Sequence, residues 1–397
     1  MTTQNNNSII VYSTTWCSDC KRVKRFLGDQ RIPYVNIDIE QDAEAMAYVE
    51  KVNNGMRIIP TIIFPDGDIL VEPSNAALAE KLGLQTKAKR TFYDAIIIGG
   101  GPAGLTAALY MAREGIETLV IEKAGLGGQV GITNMLENFP GFDEGISGPE
   151  FADRLTRQAR RFDAEILQAQ EVVKIGQHGP YWCITTTDGQ EYGAKAVLLS
   201  TGARYRRLNI PGEEGLLGIN VHFCATCDGA FYKGKKVLVI GGGNSGFEEG
   251  LFLTKFASQV DIVEFLPEVK ASHFLQEQVA RRSNMVVTVN HAVQTFKGKH
   301  KLEAVVVEDR ATGEIKEWQY DGVFVFIGLT PNSDLIQGLA EANEWGFVVT
   351  DKTLMTSQPG LFAAGDVRAG STKQAAAAAG EGVTAALMIR EYLKEVG

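Results

Sequence analysis

The pattern of hydrophobic and polar positions divides the chain into short segments that predict an α/β protein. Residues 8–82 read as strand, helix, strand, helix, strand, strand and helix in that order. Val23, Phe26 and Leu27 recur with helical spacing and are expected to face a common core. The predicted strands are 9–13, 34–39, 61–64 and 69–71, and the predicted helices are 20–27, 42–53 and 75–82.

Two longer segments, 94–123 and 235–265, each read as an apolar strand, a glycine turn, a helix and a second strand. They are internal analogues, so the chain is predicted to carry two nucleotide-binding units. Residues 84–91, which precede the first of them, are polar and basic without periodicity and predict a linker. The alanine-rich segment 375–393 predicts a closing helix.

Each nucleotide unit contains the pattern G-x-G-x-x-G between its strand and its helix. The first glycine permits a tight turn, the second lets the backbone approach a pyrophosphate, and the third lets helix and strand pack closely. An acid, Glu122 or Glu264, ends the second strand of each unit, where a ribose hydroxyl would be held. The six glycines are Gly99, Gly101 and Gly104 in the first unit and Gly241, Gly243 and Gly246 in the second.

Glu264 bears on the choice of dinucleotide in the second unit. A carboxylate accepts a hydrogen bond from the adenosine 2′-hydroxyl but repels a 2′-phosphate. Phe265, Leu266 and Pro267 follow it, and the nearest cation in the sequence is Lys270. We therefore expect NADH rather than NADPH; the alternative is that Glu264 is only a solvated strand end.

Four of the five cysteines form two C-x-x-C pairs, Cys17/Cys20 and Cys224/Cys227. Such pairs are either metal sites or redox-active dithiols. About 200 residues separate them, whereas two pairs that share a zinc ion are usually about 12 to 20 residues apart. Redox chemistry is therefore favoured. Cys183 alternates with aromatic residues like a core strand residue and is expected to have no chemical role.

The first pair is predicted at a helix start, with Cys17 beginning the helix that Cys20 continues. Free backbone amides and the positive end of the helix dipole would then favour the Cys17 thiolate. Lys21 and Arg22 add positive charge, and Asp19 opposes it. We expect Cys17 to be the exposed nucleophile and Cys20 the resolving thiol.

Two polar side chains lie beside the second pair. Asp228 follows Cys227 directly and is expected to donate a proton to a leaving thiolate if burial keeps it protonated; alternatively it caps the next turn. His222 is expected to be a packing or surface residue.

A hydride donor and a dithiol need a two-electron mediator between them, and flavin is the usual one. Asp366, after a predicted strand and a glycine, is placed to hold a ribityl hydroxyl. The helix that starts near Gln374 would point its N-terminal amides at the flavin ring and stabilise negative charge on its reduced form. FAD is therefore expected; the alternative is a polar turn before a surface helix.

Charge and composition limit the partners. The net charge of −9, from 39 basic and 48 acidic side chains, argues against nucleic acid and against an anionic membrane surface. No segment approaches the roughly 18 apolar residues that span a bilayer. The N-terminus does not have the pattern of a signal peptide, so a cytoplasmic, reducing location is expected.

Residues 93–397 resemble the low-molecular-weight thioredoxin reductases. The stretch VDIVEFLPEVKAS (260–272) is most similar to the NADH-using flavoprotein subunit of alkyl hydroperoxide reductase. The motifs are GGGPAG (99–104), GLGGQ (125–129), ENFPG (137–141), STGA (200–203), CATCDG (224–229), GGGNSG (241–246), AAGDVR (363–368) and KQA (373–375).

Residues 8–83 resemble the glutaredoxins, especially their mycoredoxin-like branch. Pro60 matches the cis-proline that lies beside the dithiol in that family, while C-S-D-C departs from the common C-P-Y-C and C-G-Y-C. The matching stretches are YSTTWCSDC (12–20), NIDIEQD (36–42) and IIPTIIF (58–64).

These resemblances imply an N-terminal thioredoxin-fold, glutaredoxin-like domain followed by two Rossmann-like nucleotide-binding domains. The implied boundaries are 1–83 for the glutaredoxin-like domain, 84–91 for the linker, 92–204 with 331–397 for the FAD domain, and 205–330 for an inserted NADH domain that carries the second cysteine pair. They also imply a homodimer. Because the NADH domain must present both its dithiol and its nicotinamide to one flavin, we expect it to rotate about hinges near 204–212 and 328–334.

The resemblance also implies the roles of individual residues. Cys227 would be the sulfur nearer the flavin, and Cys224 the one that attacks the outgoing disulfide. The NADH contacts would be Gly241, Gly243, Asn244, Ser245 and Glu264. The FAD contacts would be Gly99, Gly101, Pro102, Ala103, Gly104, Glu122, Gly128, Gln129, Asn138, Gly365, Asp366, Gln374 and Ala375.

The expected activity is an NADH-dependent disulfide reductase. Electrons would pass from NADH to FAD, to Cys224/Cys227, to Cys17/Cys20, and then to a protein disulfide such as that of a thioredoxin, or to a mixed disulfide of a low-molecular-weight thiol. One alternative is a dedicated reductase of a peroxiredoxin, and a second is a redox-sensing flavoprotein. A third is a different electron donor with a degenerate second nucleotide site.

Overall fold

The computed structural model describes residues 8–133, 136, 138–223, 225–299 and 301–396. Within these ranges the side chains of residues 132, 205, 226, 227 and 230 are not described.

The first unit is a four-stranded sheet with helices packed against it, in the element order that the sequence predicts. The strand order is β2-β1-β3-β4, with β1 parallel to β2 and antiparallel to β3. Val23, Phe26 and Leu27 of α1 are all buried in its core, as expected. The elements are β1 (Ile9–Ser13), α1 (Ser18–Asp29), β2 (Tyr34–Asp38), α2 (Ala43–Val52), β3 (Thr61–Ile63), β4 (Ile69–Val71) and α3 (Asn75–Lys81).

The second unit begins with a strand whose run from Ala95 to Ile98 is buried on both faces, as in parallel sheets covered by helices. Its helices α4 and α10 pack together where Gly382 approaches Ala103. The elements are β5 (Phe92–Ile98), α4 (Pro102–Arg113), β6 (Thr118–Ile121), a 3₁₀ helix (Gly128–Ile132), α5 (Gly148–Arg160), β7 (Glu165–Leu167), β8 (Val172–His178), β9 (Tyr181–Thr186), β10 (Glu191–Leu199), and, late in the chain, β21 (Leu361–Ala363) and α10 (Ala375–Val396). The sheet order is β7-β6-β5-β10-β9-β8, with β21 on β10.

The third unit lies between β10 and β21 in the sequence. Its central sheet has the order β12-β19-β13-β14-β15, and β16-β17-β18 form a separate antiparallel sheet. The elements are β11 (Ala203–Tyr205), α6 (Glu213–Leu216), β12 (Val221–His222), α7 (Ala225–Asp228), a 3₁₀ helix (Gly229–Tyr232), β13 (Lys236–Ile240), α8 (Asn244–Leu253), β14 (Gln259–Val263), α9 (His273–Ala280), β15 (Met285–Thr288), β16 (His291–Lys297), β17 (Ala304–Asp309), β18 (Ile315–Trp318), β19 (Gly322–Val325), β20 (Leu329–Pro331) and a 3₁₀ helix (Asp334–Ile336).

The chain leaves the second unit after β10 and returns to it with β21, which pairs in parallel with β10. The two connecting segments lie side by side, because β11 pairs antiparallel with β20. The mixed α/β architecture with two Rossmann-like sheets confirms the predicted fold class. The domain boundaries themselves stay a prediction.

The predicted linker has no regular structure but lies against the second unit. The Gln85 carbonyl accepts from the Gln168 amide at 2.8 Å. One oxygen of Glu165 accepts from the Gln85 side chain and from the Lys89 amide, each at 2.7 Å. The Tyr93 hydroxyl donates to the other oxygen at 2.8 Å. The linker is therefore fixed along β7.

In the part of the chain that the structure describes, no helix has the length and apolar character needed to cross a membrane.

Candidate active site

The first glycine loop, residues 99–104, joins β5 to α4 through very close backbone contacts. Gly99 has φ +106°, and a Cβ there would lie 2.4 Å from the Ser200 carbonyl oxygen. A Cβ on Gly104 would lie 2.0 Å from the Gly99 oxygen. Only glycine fits at both positions, and α4 begins at Pro102 directly after the turn. Its N-terminal amides therefore lie next to the loop, as the motif predicts.

Two side chains brace this loop. The Ser200 hydroxyl, which the sequence analysis did not identify as a site residue, donates to the Gly99 carbonyl at 2.9 Å. The buried Glu122 accepts from the Gly100 amide at 2.6 Å and from the Ala124 amide at 2.7 Å, one bond to each carboxylate oxygen. An ionised carboxylate has about four acceptor positions, so these bonds leave capacity for a ribose hydroxyl.

The second glycine loop, residues 241–246, repeats this arrangement before α8. Gly241 has φ +121° and a Cβ there would lie 2.2 Å from the Phe326 oxygen, while a Cβ on Gly246 would lie 1.9 Å from the Gly241 oxygen. Glu264 accepts from the Gly242 amide with one oxygen and from the Leu266 amide, at 2.8 Å, with the other. The two units therefore brace their loops in the same way.

The first turn of α8 carries the other predicted NADH contacts, and both lie beside the loop after Gly243. The Asn244 side chain accepts from the Ser272 amide at 2.7 Å, and Ser245 is exposed.

Folding brings a cation that the sequence did not indicate onto Phe265, the residue after Glu264. The Arg310 guanidinium lies 3.7 Å from the centroid of the Phe265 ring and donates to the Phe265 carbonyl at 2.8 Å. Lys270 is nearer in sequence, but Arg310, which follows β17 of the separate antiparallel sheet, is brought onto the Phe265 ring by folding. Its separation of 45 residues from Phe265 leaves no local sequence signal.

Asp366, at the end of β21, has a feature that fits a bound flavin. Its Oδ1 atom is buried without a hydrogen-bond partner among the described residues. Burial raises the pKa of the Asp366 carboxyl, and the Lys373 ammonium opposes this shift. A buried acceptor without a partner is costly, and a ribityl hydroxyl would supply the missing bond. The residues present therefore fit FAD.

The remaining predicted FAD residues border the same region. The Asn138 side chain donates to that of Gln374 at 3.0 Å, just before α10 begins at Ala375. A Cβ on Gly128 would lie 3.2 Å from the Cα of Gly101, so these two glycine-rich segments touch. Gln129 is exposed in the following 3₁₀ helix.

An ion pair that the sequence analysis missed holds the Asp366 turn against α10. Arg368 and Glu381 pair at 2.7 Å, and Glu381 also accepts from the Gly365 amide at 2.7 Å. Lys373 donates to the carbonyls of Asp366 and Arg368 at 2.8 and 2.7 Å. The sequence signal for this pair was Glu381, an acid within the alanine-rich start of helix α10.

The first cysteine pair caps α1. The Cys17 sulfur accepts from the Cys20 amide at 3.0 Å and lies 3.9 Å from the Ile59 carbonyl, beside the cis peptide bond of Ile59–Pro60. Cys17 is 8% exposed and Cys20 0%, so the expectation of an exposed Cys17 is wrong, although it is the more accessible of the two. Burial, together with a hydrogen bond to Cys17, raises the pKa of the Cys20 thiol to about 12.

Cys17 is buried because segments distant in sequence close around it. Cys17 lines a cleft of about 440 Å³, and the other side chains of the cleft include an aromatic ring and charges of both signs. The cleft is lined by Trp16, Cys17, Ser18, Asp19, Arg57, Ile58, Ile59 and Glu72.

The second cysteine pair is only partly visible: Cys224 and the Cys227 side chain lie outside the described residues. Asp228 lies 3.0 Å from His222 Nδ1, and His222 Nε2 lies 2.7 Å from the Tyr232 hydroxyl. His222 is buried, and Asp228 makes no side-chain cap to the helix that follows. From the sequence, His222 was expected to be only a packing or surface residue. In the structure it pairs with Asp228, the proposed acid.

No group of three or more His, Cys, Asp or Glu side chains is arranged to hold a metal ion within the described ranges.

Comparison with known proteins matches two family models. Residues 93–382 match the pyridine nucleotide-disulphide oxidoreductases, and residues 9–69 match the glutaredoxins. The chain is 40% identical to the thioredoxin reductase of Bacillus subtilis over 77% of its own length and 96% of the relative's.

Two further similarities agree with this. The chain is 41% identical to a bifunctional thioredoxin reductase/thioredoxin of Mycobacterium leprae, over 78% of its own length and 67% of that protein's. The crystal structure of Lactococcus lactis thioredoxin reductase, in its FR conformation, superposes with a TM-score of 0.73 at 37% identity, covering 76% of this chain and 99% of that one.

Proposed function

The chain belongs to the pyridine nucleotide-disulphide oxidoreductase family, as a thioredoxin reductase-like enzyme with a glutaredoxin domain, and we propose that it is an NADH-dependent FAD disulfide reductase with a built-in electron acceptor. Family membership implies FAD and a pyridine nucleotide. The direction of electron flow, the choice of NADH and the role of the first unit are the parts that we propose.

The observation that carries the proposal is the repetition of one loop geometry in a chain with two C-x-x-C pairs. Glu122 and Glu264 each brace a glycine turn with both carboxylate oxygens. Two such turns provide for two adenosine-containing ligands, and two dithiols provide for a relay of electron pairs.

We assign FAD to the loop braced by Glu122. Asp366 would bind the ribityl chain, Gly128 and Gln129 would border the pyrophosphate, and the start of α10 at Ala375 would face the ring. Bound FAD supplies two-electron chemistry that links hydride transfer to dithiol exchange.

We assign NADH to the loop braced by Glu264. The fixed carboxylate is suited to accept from a 2′-hydroxyl and opposes a 2′-phosphate. Phe265, which is 53% exposed with Arg310 on its ring, provides a flat surface beside the adenosine position.

In the proposed relay the reduced Cys224/Cys227 pair reduces the Cys17–Cys20 disulfide by thiol–disulfide exchange. Two electrons and two protons leave Cys224 and Cys227, which become a disulfide, and Cys17 and Cys20 become thiols. Cys17 then attacks the external disulfide. Cys20, whose thiol has a pKa of about 12, stays protonated until it resolves the mixed disulfide and releases the acceptor as a thiol.

Asp228 is proposed as the proton donor to the thiolate that leaves the second pair. Its carboxyl group lies 3.0 Å from Nδ1 of His222, which is buried and contacts Tyr232. The pairing fixes the orientation of the acid, which follows Cys227 directly in the sequence.

We propose that residues 205–330 rotate as one domain to present the dithiol and the nicotinamide to FAD in turn. The side-by-side pairing of Ala203–Tyr205 with Leu329–Pro331 supports a hinge at this position, since both connections pass through one short ribbon. Following the resemblance, we also propose that the enzyme is a homodimer.

Stopped-flow reduction with NADH and with NADPH, followed by a panel of acceptors, tests the proposal. Thioredoxin, a peroxiredoxin and mixed disulfides of low-molecular-weight thiols form the panel. Cys17→Ser is expected to retain flavin reduction by NADH and to lose reduction of the acceptor. A Cys17→Ser enzyme that reduces the acceptor at the full rate would exclude the relay. Activity towards the peroxiredoxin and towards no other acceptor of the panel would instead identify the enzyme as a dedicated peroxiredoxin reductase.

A further inference from the structure

The glutaredoxin-like domain contacts the segment that is proposed to border the FAD pyrophosphate. The turn after α1 approaches residues 123–131, which follow Glu122. The Asp29 carbonyl accepts from the Gly125 amide at 2.7 Å, and the Gln30 side chain donates to the Lys123 carbonyl at 2.9 Å. None of the steps proposed above uses this contact.

Arg31 makes the central interaction of the contact. One terminal nitrogen of its guanidinium donates to the Leu126 carbonyl and the other to the Gly128 carbonyl. The planar fork of an arginine suits two adjacent acceptors, whereas a lysine offers a single point charge. Burial lowers the pKa of Arg31, and the Glu122 carboxylate opposes this, so the guanidinium lies within the field of the acid assigned to the FAD ribose.

The opposite side of the same segment touches the first glycine loop. The Gly127 amide donates to the Gly100 carbonyl at 2.7 Å. A Cβ on Gly128 would lie 3.2 Å from the Cα of Gly101. The segment 125–131 is therefore held between Arg31 on one side and the loop 99–104 on the other.

Peptide geometry connects these two sides. In a trans peptide the C=O and the following N–H point in opposite directions. Arg31 holds the Gly128 carbonyl, so the Gln129 N–H points away from Arg31. The same rule describes Leu126, whose carbonyl Arg31 holds while the following Gly127 amide donates to the glycine loop. Arg31 thus fixes the direction of the Gln129 N–H, and with it the contact of Gly127 to the glycine loop, where a pyrophosphate would lie.

Gly131 shows how closely the guanidinium fills its site. A Cβ on Gly131 would lie 1.8 Å from Arg31 Nη1 and 2.5 Å from its Cζ. The three nearest atoms to that Cβ all belong to the Arg31 guanidinium. A methyl group at this position would therefore displace the guanidinium without altering any residue of the glutaredoxin-like domain.

We propose that Arg31 is a positioning residue of the FAD site, supplied by the glutaredoxin-like domain, and that tight retention of FAD depends on this docked contact. The inference rests on the proposed assignment of FAD to the loop braced by Glu122. It adds that the N-terminal domain is part of the cofactor site as well as an electron acceptor.

The test measures FAD binding to the full chain, by titrating flavin-free enzyme and following flavin fluorescence. Arg31→Ala is expected to raise the dissociation constant of FAD about tenfold or more, since it removes two charge-assisted hydrogen bonds from the segment. Arg31→Lys is expected to fall between Arg31→Ala and the wild type. Arg25→Ala, which removes an exposed arginine of helix α1 in the same domain, is the matched control and is expected to change FAD binding less than twofold.

Gly131→Ala provides a second route that leaves the glutaredoxin-like domain intact. Alone, it should weaken FAD binding by displacing Arg31; combined with Arg31→Ala, it should weaken binding little further, because the displaced group is already absent. Additive effects of the two substitutions would overturn the proposal, as would an Arg31→Ala chain that binds FAD as tightly as the wild type.

Failure of the inference and failure of the proposed function give different results. If the wild-type chain does not bind FAD, both the proposed function and the role of Arg31 are refuted. If the wild-type chain binds FAD and all variants bind it equally well, the role of Arg31 is refuted and the reductase assignment stands.

Discussion

Replacement of Glu264 by glutamine is expected to shift the enzyme from NADH towards NADPH. The carboxylate is fixed by the amides of Gly242 and Leu266, so it cannot turn away from a 2′-phosphate. Glutamine replaces one carboxylate oxygen with an NH₂ donor, so it loses one of the two bonds to the loop amides, but it keeps an acceptor oxygen for a 2′-hydroxyl and carries no charge. The change that discriminates between the two dinucleotides is the loss of electrostatic repulsion towards the 2′-phosphate.

The size of the effect follows from the position of the carboxylate. Two unit charges 4 Å apart interact by about 1 kcal/mol in water and about 4 kcal/mol at the effective dielectric of a protein surface. Glu264 is half-buried, and Arg310, which lies on the ring of the next residue, Phe265, would offset part of the repulsion. We expect about 1.5–2 kcal/mol, which raises the NADPH:NADH ratio of kcat/KM by about 10- to 30-fold.

The measurement is steady-state kinetics with both dinucleotides and a saturating disulfide acceptor. Glu122→Gln, which changes the equivalent brace in the other unit, is the control and should affect FAD retention without changing the ratio. An unchanged ratio in Glu264→Gln would refute the reasoning. So would a wild-type preference for NADPH that Arg310→Ala abolishes, because Arg310 would then be the group that recognises the 2′-phosphate.

Two further substitutions and one labelling experiment test individual side chains of the site. Asp366→Ala should weaken FAD binding about tenfold yet raise the urea-unfolding free energy of the flavin-free chain. Because burial raises the pKa of Asp366, its ionised carboxylate destabilises the folded wild-type chain more as pH rises. The gain in unfolding free energy from Asp366→Ala should therefore be larger at pH 8 than at pH 5. A lower unfolding free energy of the variant at both pH values would contradict this. In the reduced enzyme at pH 8, iodoacetamide should modify Cys20 at least about 100-fold more slowly than Cys17, since burial raises the pKa of the Cys20 thiol to about 12 and leaves almost none of it as the reactive thiolate; comparable labelling of both cysteines in peptide mass spectra would be inconsistent with a resolving Cys20. His222→Ala should slow disulfide reduction about tenfold, less than the 10²- to 10⁴-fold that loss of a general acid produces, while flavin reduction by NADH stays unchanged; equal slowing of both half-reactions would instead indicate a structural role.

The parts of the fold that the sequence predicted are those set by local pattern. The glycine loops could be located because turn, strand and helix are adjacent in sequence. The glycines are required where the backbone makes a close contact, as Gly104 does with the Gly99 oxygen. The elements of the first unit followed from strand alternation and from helical spacing on α1. The closing helix was also predicted, and it extends to Val396.

The parts that the sequence could not predict depend on contacts between distant segments. Arg310 reaches Phe265 across 45 residues, and Arg31 reaches Leu126 across 95. Cys17 was expected to be the exposed nucleophile because it begins a helix with Lys21 and Arg22 nearby, but residues 57–59 and Glu72 close around it. None of these partners shares a periodic pattern with the residue that it contacts.

Helix α1 separates the two tasks of the glutaredoxin-like domain along its length. Cys17 caps its N-terminus, whereas Arg31 follows its C-terminus. At 1.5 Å per residue these positions are about 20 Å apart. The cleft at Cys17 therefore stays open to an external disulfide while Arg31 holds the FAD segment. If that contact opened in every turnover, the FAD segment would lose its support each time.

We therefore expect Cys17/Cys20 to receive electrons from the Cys224/Cys227 pair of a second copy of the chain, with the Arg31 contact kept. Cys17→Ser and Cys227→Ser chains should each be inactive towards the external disulfide, and a mixture of the two, allowed to exchange subunits, should regain part of the NADH-dependent activity. Each variant alone at the same total concentration is the control. An inactive mixture would show that every glutaredoxin-like domain serves its own chain.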